Sequence, residues 1–143
     1  MKVQDILATK GGSVLTIDPI ATVGSAAKIL AQHRIGALVV TGPGQRVVGI
    51  VSERDIVHVL ASRGAAAMDL PLTDIMTRKV ATCGAADTIA SIMELMTAGK
   101  FRHVPVVEQG KLAGIISIGD VVKHRLQEME LEQNALRDYI QTA

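Results

Sequence analysis

The sequence is poor in aromatic side chains, since its 143 residues include one Phe, one Tyr and no Trp. A hydrophobic core must therefore be built from aliphatic residues and Met. Nucleic-acid surfaces on which bases stack against aromatic rings are excluded. Fifteen Lys and Arg face fourteen Asp and Glu, so the chain also lacks the basic surplus of a nucleic-acid-binding domain. We therefore expect no nucleic-acid partner.

Cysteine and long apolar runs are also scarce. The single Cys83 has no partner for an internal disulfide, and no residues around it have metal-ligand spacing. No apolar run approaches the roughly 18 residues that span a bilayer, and the N-terminus has no signal-peptide pattern. These absences predict a cytoplasmic protein with no membrane association and no metal site.

What the chain does contain is one sequence unit written twice. Residues 49–55 (GIVSERD) recur at 114–120 (GIISIGD) with four of seven positions identical. Upstream, residues 37–40 align with residues 103–106 at a shift of 66. Landmarks that return in the same order over most of a chain indicate two copies of one structural unit.

Each unit has the pattern strand, helix, strand, strand, helix. Thr22 and Thr88 stand at helix N-cap positions, and apolar residues from Val23 onward follow helical spacing. The strands are predicted at 14–16, 37–41 and 47–51, and at 80–82, 103–107 and 112–116, with second helices at about 53–63 and from 118. Three strands and two helices cannot cover both faces of a sheet. We therefore predict an α+β (α/β) fold in which two β-α-β-β-α repeats pack sheet to sheet with pseudo-two-fold symmetry.

The last helix is predicted to extend beyond the repeat. Residues 1–63 form the first unit, 64–73 a linker, 74–127 the second unit and 128–143 a C-terminal helix extension. From Val122 to Ile140 apolar residues recur at steps of 4, 3, 4, 3 and 4, interrupted by Gln133. Such a helix either lies back on its own module or pairs across a dimer, and the spacing leaves both open.

A Ser-x-x-Asp motif opens the second helix of each unit, as Ser52 with Asp55 and Ser117 with Asp120. The structural interpretation is a capping box. The functional interpretation is a ligand site, because a helix N-terminus offers free N–H donors to an anion and a carboxylate can hold the vicinal hydroxyls of a ribose. The two interpretations are compatible with each other.

Taken together, the doubled Gly-hydrophobic-hydrophobic-Ser-x-x-Asp motif, the upstream hydrophobic-x-Thr strands, and the strands at 37–40 and 102–107 resemble the CBS (cystathionine β-synthase) domain family. Over about residues 1–127 the chain resembles a stand-alone bacterial-type CBS pair, or Bateman module. The resemblance implies clefts between the repeats that bind adenosine-containing ligands. AMP is expected first, with ADP, ATP, NAD(H) or S-adenosylmethionine as alternatives.

The resemblance also implies site residues. In this family the motif Asp holds the ribose hydroxyls, the motif Ser contacts ribose or phosphate, the first strand borders the adenine, and the backbone of the second strand reads its edge. A basic stretch, here Arg102 and His103 after Lys100, faces phosphates; the first unit has Ile35 and Gly36 there, so the clefts are expected to differ. The nucleotide-binding candidates are Thr16, Ile17, Ala37, Leu38, Ser52, Arg54, Asp55, Thr82, Cys83, Arg102, His103, Val104, Ser117 and Asp120.

The expected function is a regulatory ligand sensor that signals in trans to an unidentified protein effector and forms a homodimer. Catalysis is not expected, since each motif supplies Ser and Asp without the His that would serve as a general base, and no catalytic cofactor is implied. The alternative is an interaction platform that dimerises independently of any ligand.

Overall fold

The computed structural model describes residues 1–142, and within them five α-helices and five strands. In chain order these are α1 (Val3–Lys10), β1 (Thr16–Ile17), α2 (Val23–His33), β2 (Ala37–Thr41), β3 (Val47–Ser52), α3 (Glu53–Arg63), α4 (Ile89–Gly99), β4 (His103–Glu108), β5 (Lys111–Ser117) and α5 (Ile118–Thr142). Short 3₁₀ turns lie at Pro43–Gln45, Gly64–Asp69 and Leu72–Asp74.

The two repeats form separate sheets of the same design. In the first, β1 runs parallel to β2, and β2 pairs antiparallel with β3. In the second, β4 pairs antiparallel with β5, and each hairpin has a register shift at the matching position, after Val40 and after Val106. The predicted α+β tandem-repeat fold with an extended C-terminal helix is confirmed.

The first strand of each repeat lies slightly later than predicted. The strand expected at 14–16 is Thr16–Ile17. The strand expected at 80–82 is reduced to one parallel bridge, in which the Cys83 N–H donates to Pro105 O at 3.0 Å and the Val107 N–H donates to Cys83 O at 2.8 Å. The second sheet therefore keeps the topology of the first with a shorter edge.

The helix caps follow the sequence in both copies. The Thr22 side chain accepts a hydrogen bond from the Ser25 N–H at 3.1 Å, and Thr88 accepts one from the Ser91 N–H at 3.1 Å. Both predicted N-caps are therefore confirmed, and each satisfies a backbone donor that the helix leaves free.

The hydrophobic core is divided into two clusters, one for each repeat. Each cluster also includes the segment that precedes the other repeat in the sequence. The first cluster, built around α2, β2, β3 and α3, includes Leu72 and Met76. The second includes Val3 and Ile6, so α1 packs with the second repeat. The division at residues 63 and 74 stays a prediction, and the cores extend across it.

Helix α5 begins on the second repeat and then leaves it. Val121 and His124 are buried against the module, and the His124 ring lies 2.9 Å from Asp120 O. From residue 129 to residue 142 every position is exposed, so this part does not lie back on its own module; residue 143 of the predicted extension falls outside the described residues. Within residues 1–142, none of the helices combines the length and hydropathy that a membrane-spanning segment requires.

Candidate functional site

The first Ser-x-x-Asp motif lies where β3 ends and α3 begins. Asp55 Oδ2 accepts hydrogen bonds from the Ser52 N–H at 2.9 Å and from the Ser52 hydroxyl at 3.1 Å. The Asp55 N–H donates to Ser52 Oγ at 3.3 Å, which completes a capping box. The hydrogen bonds found for this carboxylate in residues 1–142 all use Oδ2, so Oδ1 is available to a ligand.

A cavity of about 420 Å³ opens beside this motif, between the first repeat and residues 100–103 of the second. Its volume falls within the range of small-molecule sites, about 300–1,000 Å³. It is lined by Gly36, Ala37, Ile50, Ser52, Glu53, Arg54, Asp55, Thr77, Lys100, Phe101, Arg102 and His103. The cavity, which we call the first cleft, therefore gathers six of the predicted candidates from positions far apart in the chain.

The charges of the first cleft are divided between the repeats. The first repeat contributes the carboxylates of Glu53 and Asp55, and the second contributes the cations Lys100 and Arg102. Arg54 adds a third cation beside the carboxylates. This arrangement suits a ligand with hydroxyl groups at one end and an anion at the other, because carboxylates accept from hydroxyls and guanidinium groups bind phosphate oxygens.

His103 lies between the two repeats, close to the backbone of Gly36. A Cβ atom at Gly36 would lie 3.3 Å from His103 Cε1, so glycine permits the close approach. Burial lowers the pKa of His103, and the positive charges of Lys10 and Arg102 act in the same direction, against the opposing carboxylates of Asp120 and Glu53. The imidazole is therefore mainly neutral at pH 7.

The second Ser-x-x-Asp motif has the same cap and different surroundings. The Ser117 N–H donates to Asp120 Oδ2 at 2.9 Å, and the Asp120 N–H donates to Ser117 Oγ at 3.1 Å. However, the ammonium group of Lys10, at the end of α1, donates to Asp120 Oδ2 at 2.7 Å and to Ile115 O at 3.0 Å. At the surroundings of Ser117 and Asp120, which we call the second cleft, a side chain of the protein itself therefore pairs with the carboxylate.

This ion pair changes the acidity of Asp120. Burial acts to raise the pKa of Asp120, but the hydrogen bonds from Lys10 and Ser117 outweigh it and hold the pKa below its usual value. The carboxylate is therefore ionised at neutral pH and already paired. A ligand that needs Oδ2 must displace Lys10, whereas the hydrogen bonds found for Asp120 in residues 1–142 leave Oδ1 unused.

The other candidates lie outside the first cleft. Ile17, Leu38 and Val104 are buried in the cores, while Thr16 and Thr82 are exposed at the sheet edges. Their roles stay predictions, and the buried ones have only backbone atoms to offer a ligand.

Cys83 is also buried in the second core. Burial raises its pKa to about 12, assisted by the carboxylates of Asp87 and Glu108, so the thiol is not a nucleophile at neutral pH. Among residues 1–142, no three His, Cys, Asp or Glu side chains cluster in a way that could hold a metal ion.

Sequence reasoning missed several residues of the first cleft. Glu53 and Phe101 adjoin predicted residues, so they follow once the motif positions are known. Thr77 reaches the site through a two-way bridge, in which the Ile50 N–H donates to Thr77 O and the Thr77 N–H donates to Ile50 O, both at 2.9 Å. The preceding residues 74–76 (DIM) align in sequence with residues 5–7 (DIL), which indicates a repeated segment, but this does not reveal which sheet it joins.

Comparison with known proteins agrees with this architecture. The CBS domain family model matches residues 3–62 and 72–127. A CBS-domain-containing protein from Agrobacterium tumefaciens is 49% identical, with 87% of this chain and 99% of that chain covered and a TM-score of 0.84. A CBS domain protein from Pyrobaculum aerophilum, solved in complex with AMP, is 30% identical over 93% of this chain and 99% of its own, with a TM-score of 0.79.

A third structure carries different adenosyl ligands. The CBS domain pair of protein MJ0100, solved in complex with 5′-methylthioadenosine and S-adenosyl-L-methionine, is 26% identical, covers 90% of this chain and 98% of that chain, and has a TM-score of 0.74. Each of these matches spans both repeats.

Proposed function

This chain belongs to the CBS domain family and carries a pair of CBS repeats; from this premise we propose that it is a regulatory module that binds an adenosine-containing nucleotide in the first cleft. The observation that carries the proposal is the composition of that cleft. An Asp carboxylate with a free oxygen stands at a helix N-terminus on one side, and two cations of the other repeat stand opposite.

Each end of a nucleotide has a matching group in this cleft. Asp55 accepts from the two vicinal hydroxyls of the ribose, which is a charge-assisted interaction. Lys100 and Arg102 bind the phosphate. The positive end of the α3 dipole adds to this attraction, although the N–H groups of Glu53 and Asp55 are already bonded within the protein. AMP is the first candidate ligand, in keeping with the relatives that were solved with AMP and with other adenosyl ligands.

A longer nucleotide is the second candidate, and a neighbouring cavity favours it. This cavity, of about 410 Å³, shares Arg54 and Asp55 with the first cleft and adds His58 and Arg63. Further phosphates or a second nucleoside would find space there, with Arg54 and Arg63 as cations and Asp74 as an opposing carboxylate. ATP and NAD(H) are therefore the ligands to compare with AMP.

Ligand binding in this cleft has a direct route to regulation. Because the lining comes from both repeats, a bound nucleotide favours one relative arrangement of them. A protein effector that prefers this arrangement would sense the ligand, with a coupling limited by the differential affinity of the ligand for the two states. We propose a non-catalytic role in the cytoplasm, signalling in trans, as a homodimer. In the alternative, the clefts stay empty and the module is only a dimerising platform.

The test is calorimetric titration of AMP, ADP, ATP, NAD(H) and S-adenosylmethionine, preceded by mass spectrometry of small molecules released from the purified protein. Asp55→Asn removes the charge that holds the ribose, and loss of a charge-assisted hydrogen bond costs about 1.5–3 kcal/mol, or roughly 10- to 150-fold in Kd. The matched control is Asp120→Asn, which alters the same capping box in the cleft that Lys10 occupies.

The expected result is a nucleotide that binds the wild type and the Asp120→Asn variant alike and binds Asp55→Asn more weakly. Unchanged affinity in both variants, with a lower free energy of unfolding, would assign the motif to helix capping alone. If none of the five compounds binds, the ligand-independent platform becomes the better explanation.

A further inference from the structure

We propose that α5 pairs with the α5 of a second copy of this chain as a parallel, in-register coiled coil. Its apolar seam, which we call the α5 seam, comprises Val122, Leu126, Met129, Gln133, Leu136 and Ile140. The five apolar members are 43%, 61%, 45%, 60% and 66% exposed, in chain order. Large aliphatic side chains aligned on one helix face and open to water are typical of an interface.

The orientation of α5 keeps this seam accessible. Val121 and His124 face the module, so the seam residues beside them face outward. From residue 129 to residue 142 the helix has no contact that buries it. A free helix of this length is marginal in water, because helices shorter than about 12–15 residues are barely stable alone. Pairing through the seam would supply the missing stabilisation.

The seam follows the heptad positions of a two-stranded coiled coil. Leu126, Gln133 and Ile140 occupy position a. Val122, Met129 and Leu136 occupy position d. A single polar residue at an a position fixes register and strand number at some cost in stability, and Gln133 is placed to do this. In a parallel pair it faces its own counterpart, so the two side-chain amides can bond to each other.

The charges that flank the seam select the parallel orientation. In a parallel pair a g residue faces the e residue five positions later in the other helix. This brings Arg125 opposite Glu130 of the second copy, and Glu132 opposite its Arg137, and symmetry doubles both attractive pairs. In an antiparallel pair with the same seam, e faces e and g faces g, so Glu130 meets Glu130 and Glu132 meets Glu132. The sequence favours a second copy in the parallel orientation.

The root of α5 is anchored to its module. Glu128 accepts from the N-terminal ammonium of Met1 at 3.0 Å and from Arg125 at 2.7 Å, and Arg125 also lies 4.0 Å from Glu132. The contact with Met1 joins α5 to the start of the chain, and the two Arg125 contacts lie within α5. The proposed pairing therefore places two modules side by side at the N-terminal end of the coiled coil.

The first test is disulfide trapping. Gln133→Cys should form an intermolecular disulfide under mild oxidation, since residue 133 faces itself only in the parallel register. Leu131→Cys is the matched control, because residue 131 is also exposed and lies on the opposite face of the helix. The native Cys83 is buried and does not interfere. Crosslinking of both variants to the same extent, or of neither, would overturn the proposal.

The second test measures oligomeric mass by light scattering across a dilution series. Leu136→Glu should raise the dimer Kd at least tenfold, and Leu131→Glu should leave it unchanged. Glu132→Arg and Arg137→Glu should each weaken the dimer, and the double exchange should restore it. A dimer that persists unchanged in Leu136→Glu overturns the coiled coil even if the protein is a homodimer through another surface. Nucleotide titration of the same variant reports separately on the first cleft, because that cleft lies within one chain.

Discussion

Replacing Lys10 by Met should convert the second cleft from an occupied site into an open one. Lys10 reaches Asp120 Oδ2 at 2.7 Å and Ile115 O at 3.0 Å, so a nucleotide that takes this carboxylate oxygen must break both contacts. Met keeps the length and apolar stem of Lys but removes the ammonium group. We therefore expect the second cleft of Lys10→Met to bind the nucleotide more tightly than that of the wild type.

The size of the effect follows from the exposure of the pair. The Lys10 and Asp120 side chains are 33% and 23% exposed, so the ion pair is partly screened. Such pairs contribute about 0.2–1 kcal/mol, and the hydrogen bond to the carbonyl adds about 1 kcal/mol. Their sum, about 1–2 kcal/mol, corresponds to roughly a 5- to 30-fold lower Kd.

The assay is calorimetric titration of AMP in an Asp55→Asn background. Binding to the first cleft is weakened in this background, so the heat measures binding to the second cleft. Lys79→Met is the matched control: Lys79 follows Met76 as Lys10 follows Leu7, and its side chain is exposed. Unchanged affinity in Lys10→Met would refute the idea that Lys10 blocks the cleft. Weaker affinity would refute it differently, by showing that Lys10 contacts the bound phosphate.

Three further predictions concern stability and reactivity. Burial lowers the pKa of His103 from its ordinary value of 6.5, so the unfolded chain binds the proton more readily than the folded protein does. The folded state is therefore most stable with neutral His103, above pH 6.5, and loses stability as the pH falls through the pKa of the folded protein. Urea unfolding at several pH values should therefore show a shallower decline in stability between pH 7 and 5 for His103→Gln than for the wild type, and equal declines would contradict this assignment. At Gly114, a Cβ would lie 2.6 Å from Leu7 Cδ2, so Gly114→Ala should lower the free energy of unfolding by about 1–3 kcal/mol, and adding Leu7→Ala should recover part of the loss; the same loss with and without Leu7→Ala would contradict this contact. Cys83, with its pKa raised to about 12, should react with a thiol reagent at pH 8 only after unfolding, and rapid labelling of the native protein would show that this burial is incorrect.

Local features of the fold were predictable because they depend on neighbouring residues. The N-caps at Thr22 and Thr88, the two hairpins and the long C-terminal helix all follow from side-chain chemistry or spacing within a few positions. The repeat itself indicated that two similar units must pack together.

Contacts between distant segments were not predictable in the same way. The second repeat needs α1 for its core, and the bond from Lys10 to Asp120 joins residues 110 positions apart. One predicted strand is reduced to the Cys83 bridge, and its length is likewise set by how this segment pairs with β4. No local pattern encodes such pairings, since tertiary packing decides them.

The two copies of the motif also show why sequence symmetry does not imply equal sites. Ser52–Asp55 and Ser117–Asp120 adopt the same capping geometry, because a capping box needs only four consecutive residues. Their surroundings come from the segment that precedes the other repeat, and these two segments differ. The segment that joins the second repeat is a helix with Lys10 at its end, whereas the one that joins the first repeat contributes the backbone of Thr77. Asp55 therefore faces a cavity while Asp120 faces a cation. A ligand competes with Lys10 only at Asp120, so we expect the first cleft to bind a nucleotide more tightly than the second.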